Sequence, residues 1–278
     1  MTPERPARDL VQRALAEITA QLQLQEDTAA GMELRAAPEA AAAPAAKAAP
    51  APGDANAARE TAAPALPVEP GQPIGAVRVW RGECQVIYAA LHLPALGMDS
   101  HQLAAFTPPN SPVPHFTLDA AHHAQTDHRI HFGCDLLPRA DLGASLPYLQ
   151  EVHAPLSSAL QSAHALPGIT PVSLPPLLRA LHSPWQIAVF ADPGALPALA
   201  APANTYLRHW LALCQTGLTP QTRAHIAWQN LPQRSRQNRA ALYHPQTNRL
   251  WTLLTTLLGP TPTEKLRTLL TGGTKTPC

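Results

Sequence analysis

The chain has 278 residues and a formal net charge of +1, with 14% charged residues, 5% aromatic residues and 32 prolines. This length fits one large domain or two small ones. No stretch has the length and hydrophobicity of a membrane span or a signal peptide. We therefore expect a cytoplasmic protein with neither a membrane nor a nucleic-acid partner.

Cysteine spacing and the absence of common motifs exclude several classes of enzyme. The four cysteines, Cys84, Cys134, Cys214 and Cys278, lie far apart, which is typical of reduced thiols and not of a disulfide framework or an iron–sulfur cluster. The sequence has no Gly-x-Gly-x-x-Gly, phosphate-binding loop, Gly-x-Ser-x-Gly or His-Glu-x-x-His motif. An enzyme lacking these must use acid–base chemistry of its own residues, an unusual site, or electrons supplied by a partner.

The N-terminal region divides into a helix and a linker. Apolar residues recur at steps of four, three and four, which predicts an amphipathic helix within residues 1–27: Val11, Leu15, Ile18 and Leu22. Residues 28–72 are mainly Ala, Pro and small polar residues, a composition that predicts a disordered linker. We expect one domain over residues 73–272 and a short tail over 273–278.

The first half of that domain is rich in strand patterns. Residues 76–80 and 84–93 predict a hairpin with a short Gly-containing turn, and residues 101–106 predict a third strand. Residues 113–119 and 129–135 alternate between apolar and polar side chains, which predicts a second hairpin. In its first strand His115, Thr117 and Asp119 share one face, and residues 120–128 turn the chain.

The second half is mostly helical. Residues 146–165 predict helical or mixed structure, and residues 185–190 predict a last strand. Helices are predicted over 174–181, 204–214, 248–258 and 263–270. Thr263 is the predicted N-cap of the last of them. Strands with helices before and after them indicate an α/β (α+β) fold, an α/β/α sandwich around a mainly antiparallel sheet.

Two features of the second hairpin point to chemistry. Its five histidines lie within seventeen residues, and such a cluster can bind a transition metal: His115, His122, His123, His128 and His131. No Cys ligands accompany them, so we expect solvated loop histidines and no metal. Asp119 lies in an apolar strand, where a carboxyl is paired, hydrogen-bonded or protonated. It is a candidate proton donor, and the alternative is a structural Asp that caps a turn.

The same hairpin resembles a known family. Its Pro-x-Phe-x-x-Asp strand, residues 114–119, is followed by Asp-Leu-x-Pro at 135–138, and this arrangement resembles the ferredoxin-dependent bilin reductases. Residues 136–142 and 147–149 resemble the related red chlorophyll catabolite reductase. The resemblance covers about residues 76–270. It implies an α/β/α sandwich that reduces a linear tetrapyrrole with electrons from reduced ferredoxin, without bound flavin, nicotinamide or metal.

The resemblance also assigns roles to particular residues. Asp119 matches an Asp that protonates the bilin, and His101 lies within one residue of a catalytic His. His92 stands where both branches of the family can carry Glu, and Asn238 stands where red chlorophyll catabolite reductase has a functional Asp. These departures leave open a binding protein without activity. We expect the substrate to contact His92, His115 and Asn238, and its propionates to pair with arginines: Arg129, Arg236 and Arg239.

Charge is concentrated near the C-terminus. Residues 193–278 carry nine basic and one acidic side chain, a balance of +8, and no acid occurs from residue 193 to 263. A surface of this kind steers an acidic protein toward it. We therefore expect the ferredoxin-like electron donor to dock on this third of the chain.

Overall fold

The structure is a computed structural model that describes residues 6–38, 40, 68–123, 129–247 and 250–273. Its strands are β1 (Gln25–Glu26), β2 (Met32–Arg35), β3 (Pro73–Arg81), β4 (Gln85–Leu93), β5 (Met98–Phe106), β6 (His115–His123), β7 (Ile130–Leu137), β8 (Ile169–Pro171) and β9 (Ile187–Ala191). In the described residues these nine strands form one antiparallel sheet, ordered β1-β3-β4-β5-β6-β7-β9-β8, with β2 also paired to β3.

Helices cover both faces of the sheet. They are α1 (Pro6–Gln21), α2 (Leu146–Tyr148), α3 (Ser157–Ala165), α4 (Pro176–Arg179), α5 (Ala200–Thr216), α6 (Pro220–Ile226), α7 (Leu231–Leu242), α8 (Leu250–Leu258) and α9 (Pro260–Thr271). One face packs against α1, α3 and α5, and the other packs against α8, α9 and the end of α7. The predicted α/β/α sandwich with an antiparallel sheet is confirmed.

The period of two along a strand decides which residues enter which core. On β6, Phe116, Leu118 and Ala120 enter the core beneath α1 and α5. The side chains between them therefore face the C-terminal helices. This confirms the predicted sharing of one face by His115, Thr117 and Asp119.

Some local predictions are wrong. Strand β6 continues to His123, so His122 and His123 are not loop residues; His128 lies outside the described residues. Arg236 and Asn238 lie in α7, a helix that was not predicted. Helix α9 begins at Pro260, and its N-cap is Gly259. The side chain of Thr263 lies one turn inside the helix, where it donates to the carbonyl of Gly259 at 2.8 Å.

The predicted N-terminal helix is present and packs on the sheet. Val11 and Ile18 of α1 are fully buried, in the same core as Phe116. The structure differs from the predicted linker at its beginning, where β2 pairs with β3 and Ala36 and Ala37 are buried. Its end is ordered as well, with Val68 buried and the backbone N–H of Ala36 donating to the carbonyl of Gln72 at 2.9 Å. Residues 39 and 41–67 of that segment lie outside the described residues.

Because α1 contributes to the core, shortening one of its buried side chains should destabilise the whole domain. We expect Ile18→Ala to lower the free energy of unfolding by about 2–5 kcal/mol, through lost burial and the cavity left behind. The exposed Gln21 of the same helix is the control, and its change to Ala should cost less than about 0.5 kcal/mol. Equal losses in urea unfolding would show that α1 is not part of the core.

Candidate functional site

A cavity of about 360 Å³ lies between the sheet and the C-terminal helices. Its floor is formed by β4 to β7, and its walls by α8, the end of α7 and the segment 174–186. The volume lies within the range of about 300–1,000 Å³ that is usual for small-molecule sites. Most of the lining surface is apolar. The polar residues on the floor and walls are Ser100, Gln102, Thr117, Asp119, His122, His131, His182, Gln186 and Tyr243.

Asp119 and His131 form a hydrogen-bonded pair on the floor of this cavity. Oδ2 of Asp119 lies 3.0 Å from Nδ1 of His131, and about a third of each side chain is exposed. Asp119 stands directly across from Gly133 in the β6–β7 register. A Cβ at position 133 would lie 2.3 Å from Oδ1 of Asp119. Glycine at 133 therefore gives the carboxylate room to lie over β7, beside His131.

The pair raises the pKa of His131. Burial alone lowers it, but the hydrogen bond and the negative charge of Asp119 together outweigh burial and hold the pKa above its ordinary value of 6.5. The imidazolium is thus favoured beside the carboxylate. The pair therefore binds a proton more tightly than a free imidazole, and a proton held within the cavity is what transfer to a bound ligand requires.

The raised pKa predicts a pH-dependent contribution to stability. The charged pair contributes fully below the unfolded-state pKa of His131, and the contribution is lost as pH rises through the higher folded-state pKa. We expect His131→Gln to cost more stability at about pH 5.5 than at about pH 9. Urea unfolding at both pH values measures this, with the exposed His164→Gln as control. A cost that does not change with pH would contradict the charged pair.

A second His–Asp pair supports the cavity wall from behind. Asp135 on β7 is fully buried and accepts hydrogen bonds from Nδ1 of His182 at 3.0 Å, the backbone N–H of Ser183 at 3.0 Å and its hydroxyl at 2.5 Å. These bonds fix the segment after α4 to the sheet. His182, which lines the cavity, is thereby held in place.

His115 lies on the cavity side of the sheet but does not line the cavity. It is buried, its Nδ1 accepts from the backbone N–H of Thr107 at 3.1 Å, and its Nε2 lies 3.1 Å from the hydroxyl of Ser235. Burial, with the charges of Arg139 and Arg239, holds its pKa well below the ordinary value. His115 is therefore neutral and joins β6 to α7, and its predicted contact with a substrate finds no support in this geometry.

His101 and His92 lie on the opposite face of the sheet. His101 pairs with Ala120 across β5 and β6, and its Nδ1 lies 2.7 Å from the hydroxyl of Tyr88 beneath α1. His92 lies four residues after Tyr88 on β4 and therefore on the same face of the sheet. Its Nδ1 lies 3.2 Å from a carboxylate oxygen of Asp99. The sheet separates both histidines from Asp119. Neither is among the residues that line the cavity.

The predicted arginines and Asn238 are also not among the residues that line this cavity. Arg129 donates to the carbonyl of Phe190 at 3.1 Å, and Nδ2 of Asn238 donates to the carbonyl of Leu181 at 3.4 Å. Arg236 and Arg239 line a different cavity, of about 500 Å³, near the other end of β5. Arg239 donates to the carbonyl of Leu270 at 2.7 Å and so caps the end of α9.

Several cavity residues were not predicted from the sequence: Gln102, His131, His182 and Tyr243. Strand alternation places His131 on the same face of the hairpin as Asp119, and the hairpin register makes the two residues diagonal neighbours. The alternation in the sequence could therefore have predicted this pair. Gln102 stands opposite Asp119 on β5, one residue from the predicted His101. His182 comes shortly after α4 and Tyr243 directly follows α7, and no local pattern places either of them near the sheet.

Within the described residues, no group of three His, Cys, Asp or Glu side chains could hold a metal ion. No helix within those residues has both the length and the hydrophobicity needed to cross a membrane.

The fold matches a solved structure. The α/β/α sandwich resembles the crystal structure of phytochromobilin synthase from tomato in complex with biliverdin, with a TM-score of 0.64 and 15% sequence identity. The match covers 96% of this chain and 83% of that one. Phytochromobilin synthase is a ferredoxin-dependent bilin reductase, so the sequence resemblance to that family is confirmed at the level of the fold. No family model and no curated protein matches the sequence.

Proposed function

We propose that this protein binds a linear tetrapyrrole in the Asp119 cavity and reduces it with electrons from a ferredoxin-like donor. The observation that carries the proposal is the Asp119–His131 pair, hydrogen-bonded at 3.0 Å on the floor of a mainly apolar cavity. The fold is that of an enzyme family whose reaction needs protons from side chains. Biliverdin, the ligand of the tomato enzyme, and a red chlorophyll catabolite are the candidate substrates.

The proposed reaction adds two electrons and two protons to one double bond. Each reduced ferredoxin supplies one electron, so the substrate passes through a negatively charged radical in a cavity with little water. Such a charge is costly in an apolar environment unless a proton arrives with it. Asp119 and His131 together hold one proton beside the substrate and take up the second from solvent before the second electron arrives; no bound flavin or metal takes part in the proposed scheme.

The electron donor is proposed to dock on the basic C-terminal third of the chain, which has a balance of +8. Electrostatic attraction of this kind raises the rate at which an acidic protein binds.

Anaerobic turnover tests the proposal. The protein is incubated with biliverdin, ferredoxin and a system that reduces ferredoxin, and the absorption spectrum of the bilin is followed; a parallel reaction contains a red chlorophyll catabolite. We expect one of the two to be consumed and a reduced product to form. Unchanged spectra in both reactions would contradict the proposed activity.

A binding protein without activity is the second candidate, and the position of His101 supports it. Of the polar residues that the resemblance assigns to the reaction, Asp119 lines the cavity while His101 lies on the opposite face of the sheet. Asn238 cannot release a proton, and its amide bonds a backbone carbonyl. Stoichiometric binding of biliverdin with no turnover under the same conditions would favour this function.

A further inference from the structure

Tyr243 has a buried hydroxyl group without a hydrogen-bond partner among the described residues. The residue follows α7, is 4% exposed and lines the cavity. The other three of the four tyrosines have partners: Tyr88 with His101 at 2.7 Å, Tyr148 with the Pro112 carbonyl at 3.0 Å and Tyr206 with the Trp185 carbonyl at 2.5 Å. Buried polar groups are rarely left unpaired, because they lose their hydrogen bonds to water and gain none in return.

The ring of Tyr243 is held by its neighbours. It meets Phe106 edge-on with ring centroids 6.5 Å apart and Trp251 edge-on at 6.4 Å. Its backbone N–H donates to the carbonyl of Arg239 at 3.1 Å, at the end of α7. Swinging the ring toward another partner would break both aromatic contacts, so Tyr243 stays at the cavity wall.

The hydroxyl is a donor throughout the neutral range. Burial raises the pKa of Tyr243 to about 12; the charge of Asp119 adds to this, and the charge of Arg239 opposes it. Tyr243 and the Asp119–His131 pair both line the cavity, so a ligand bound there would meet a neutral donor as well as the pair.

We propose that the hydroxyl of Tyr243 donates a hydrogen bond to a carbonyl oxygen of the ligand in the Asp119 cavity. For a linear tetrapyrrole, the proposed substrate class on which this inference rests, the acceptor is the lactam oxygen of a terminal ring. Tyr243 is then a ligand-orienting residue, because fixing one terminal ring sets which part of the conjugated system lies over Asp119.

The test compares Tyr243→Phe with Tyr88→Phe in the full-length protein. Both changes remove one buried hydroxyl, but only the hydroxyl of Tyr88 has a partner in the protein. Without ligand, we expect Tyr243→Phe to leave Tm unchanged or higher and Tyr88→Phe to lower it by about 3 °C. In titrations with biliverdin, we expect Tyr243→Phe to weaken binding about tenfold and Tyr88→Phe to leave it unchanged.

The two measurements separate this inference from the proposed function. A fall in Tm for Tyr243→Phe as large as that for Tyr88→Phe would show a partner within the protein and overturn the inference, whether or not biliverdin binds. Wild-type affinity of Tyr243→Phe for biliverdin would overturn it as well. Failure of the wild-type protein to bind biliverdin would contradict the proposed function, and the comparison of Tm values would still decide whether the hydroxyl is unpaired.

Discussion

Asp119→Asn is expected to bind biliverdin and to reduce it about 10²–10⁴ times more slowly than the wild-type protein, the usual contribution of general acid–base catalysis. Asparagine keeps the shape of the side chain and can still hydrogen-bond His131, but it has no transferable proton. The first electron should still enter the bilin. A bilin radical should then accumulate, which electron paramagnetic resonance and visible absorption both detect.

Asp192→Asn is the matched control, because Asp192 is 59% exposed and lies near Arg129, away from the cavity. It should turn over at the wild-type rate. If Asp119→Asn is equally active while His131→Gln is inactive, His131 is the proton donor without Asp119. If Asp119→Asn does not unfold cooperatively, the carboxylate has the structural role that the sequence also allowed.

Asp135→Ala is expected to have the largest effect on stability among substitutions on the cavity side of the sheet. The change removes a fully buried acceptor and leaves three donors of His182 and Ser183 without their partner. Losing one member of such a buried network costs about 3–5 kcal/mol. Urea unfolding measures the loss, and weaker binding of biliverdin should accompany it because His182 and its segment are released from the sheet.

Asp141→Ala provides the comparison for that loss. Asp141 is exposed, and its side chain accepts one hydrogen bond, from the backbone N–H of Gly143 at 3.0 Å. Its removal should cost about 1 kcal/mol, as for other capping residues. Similar costs for Asp135→Ala and Asp141→Ala would show that the buried network contributes little beyond a surface cap.

The sequence predicted the sheet better than it predicted the site. Alternation along residues 113–119 depends only on neighbouring residues, so it correctly placed Asp119 on the face opposite Phe116. Whether His101 shares that face depends on the register between β5 and β6, which tertiary packing decides. The observed register sets Gln102 and not His101 opposite Asp119, and a shift of one residue exchanges the two faces.

Helix α7 shows why the second half was harder to predict. Its sequence, LPQRSRQNRAAL, has little apolar periodicity, so no amphipathic pattern marks it as a helix. Tertiary contacts hold it in place: His115 bonds Ser235, and Arg239 lies with its guanidinium 3.5 Å from the ring centroid of Phe106. Arg236 and Arg239, which were expected beside the propionates of the substrate, line the cavity near the other end of β5 instead.

Gly133 creates a conflict for any effort to make this protein more heat-resistant. Glycine within a central strand weakens the sheet, and a side chain such as Val would suit β7 better. That same side chain would displace the carboxylate of Asp119 from its place beside His131. A selection for thermal stability alone should therefore favour replacement of Gly133 early, and the selected variants should be well-folded proteins without the Asp119–His131 pair, on which the proposed reduction depends.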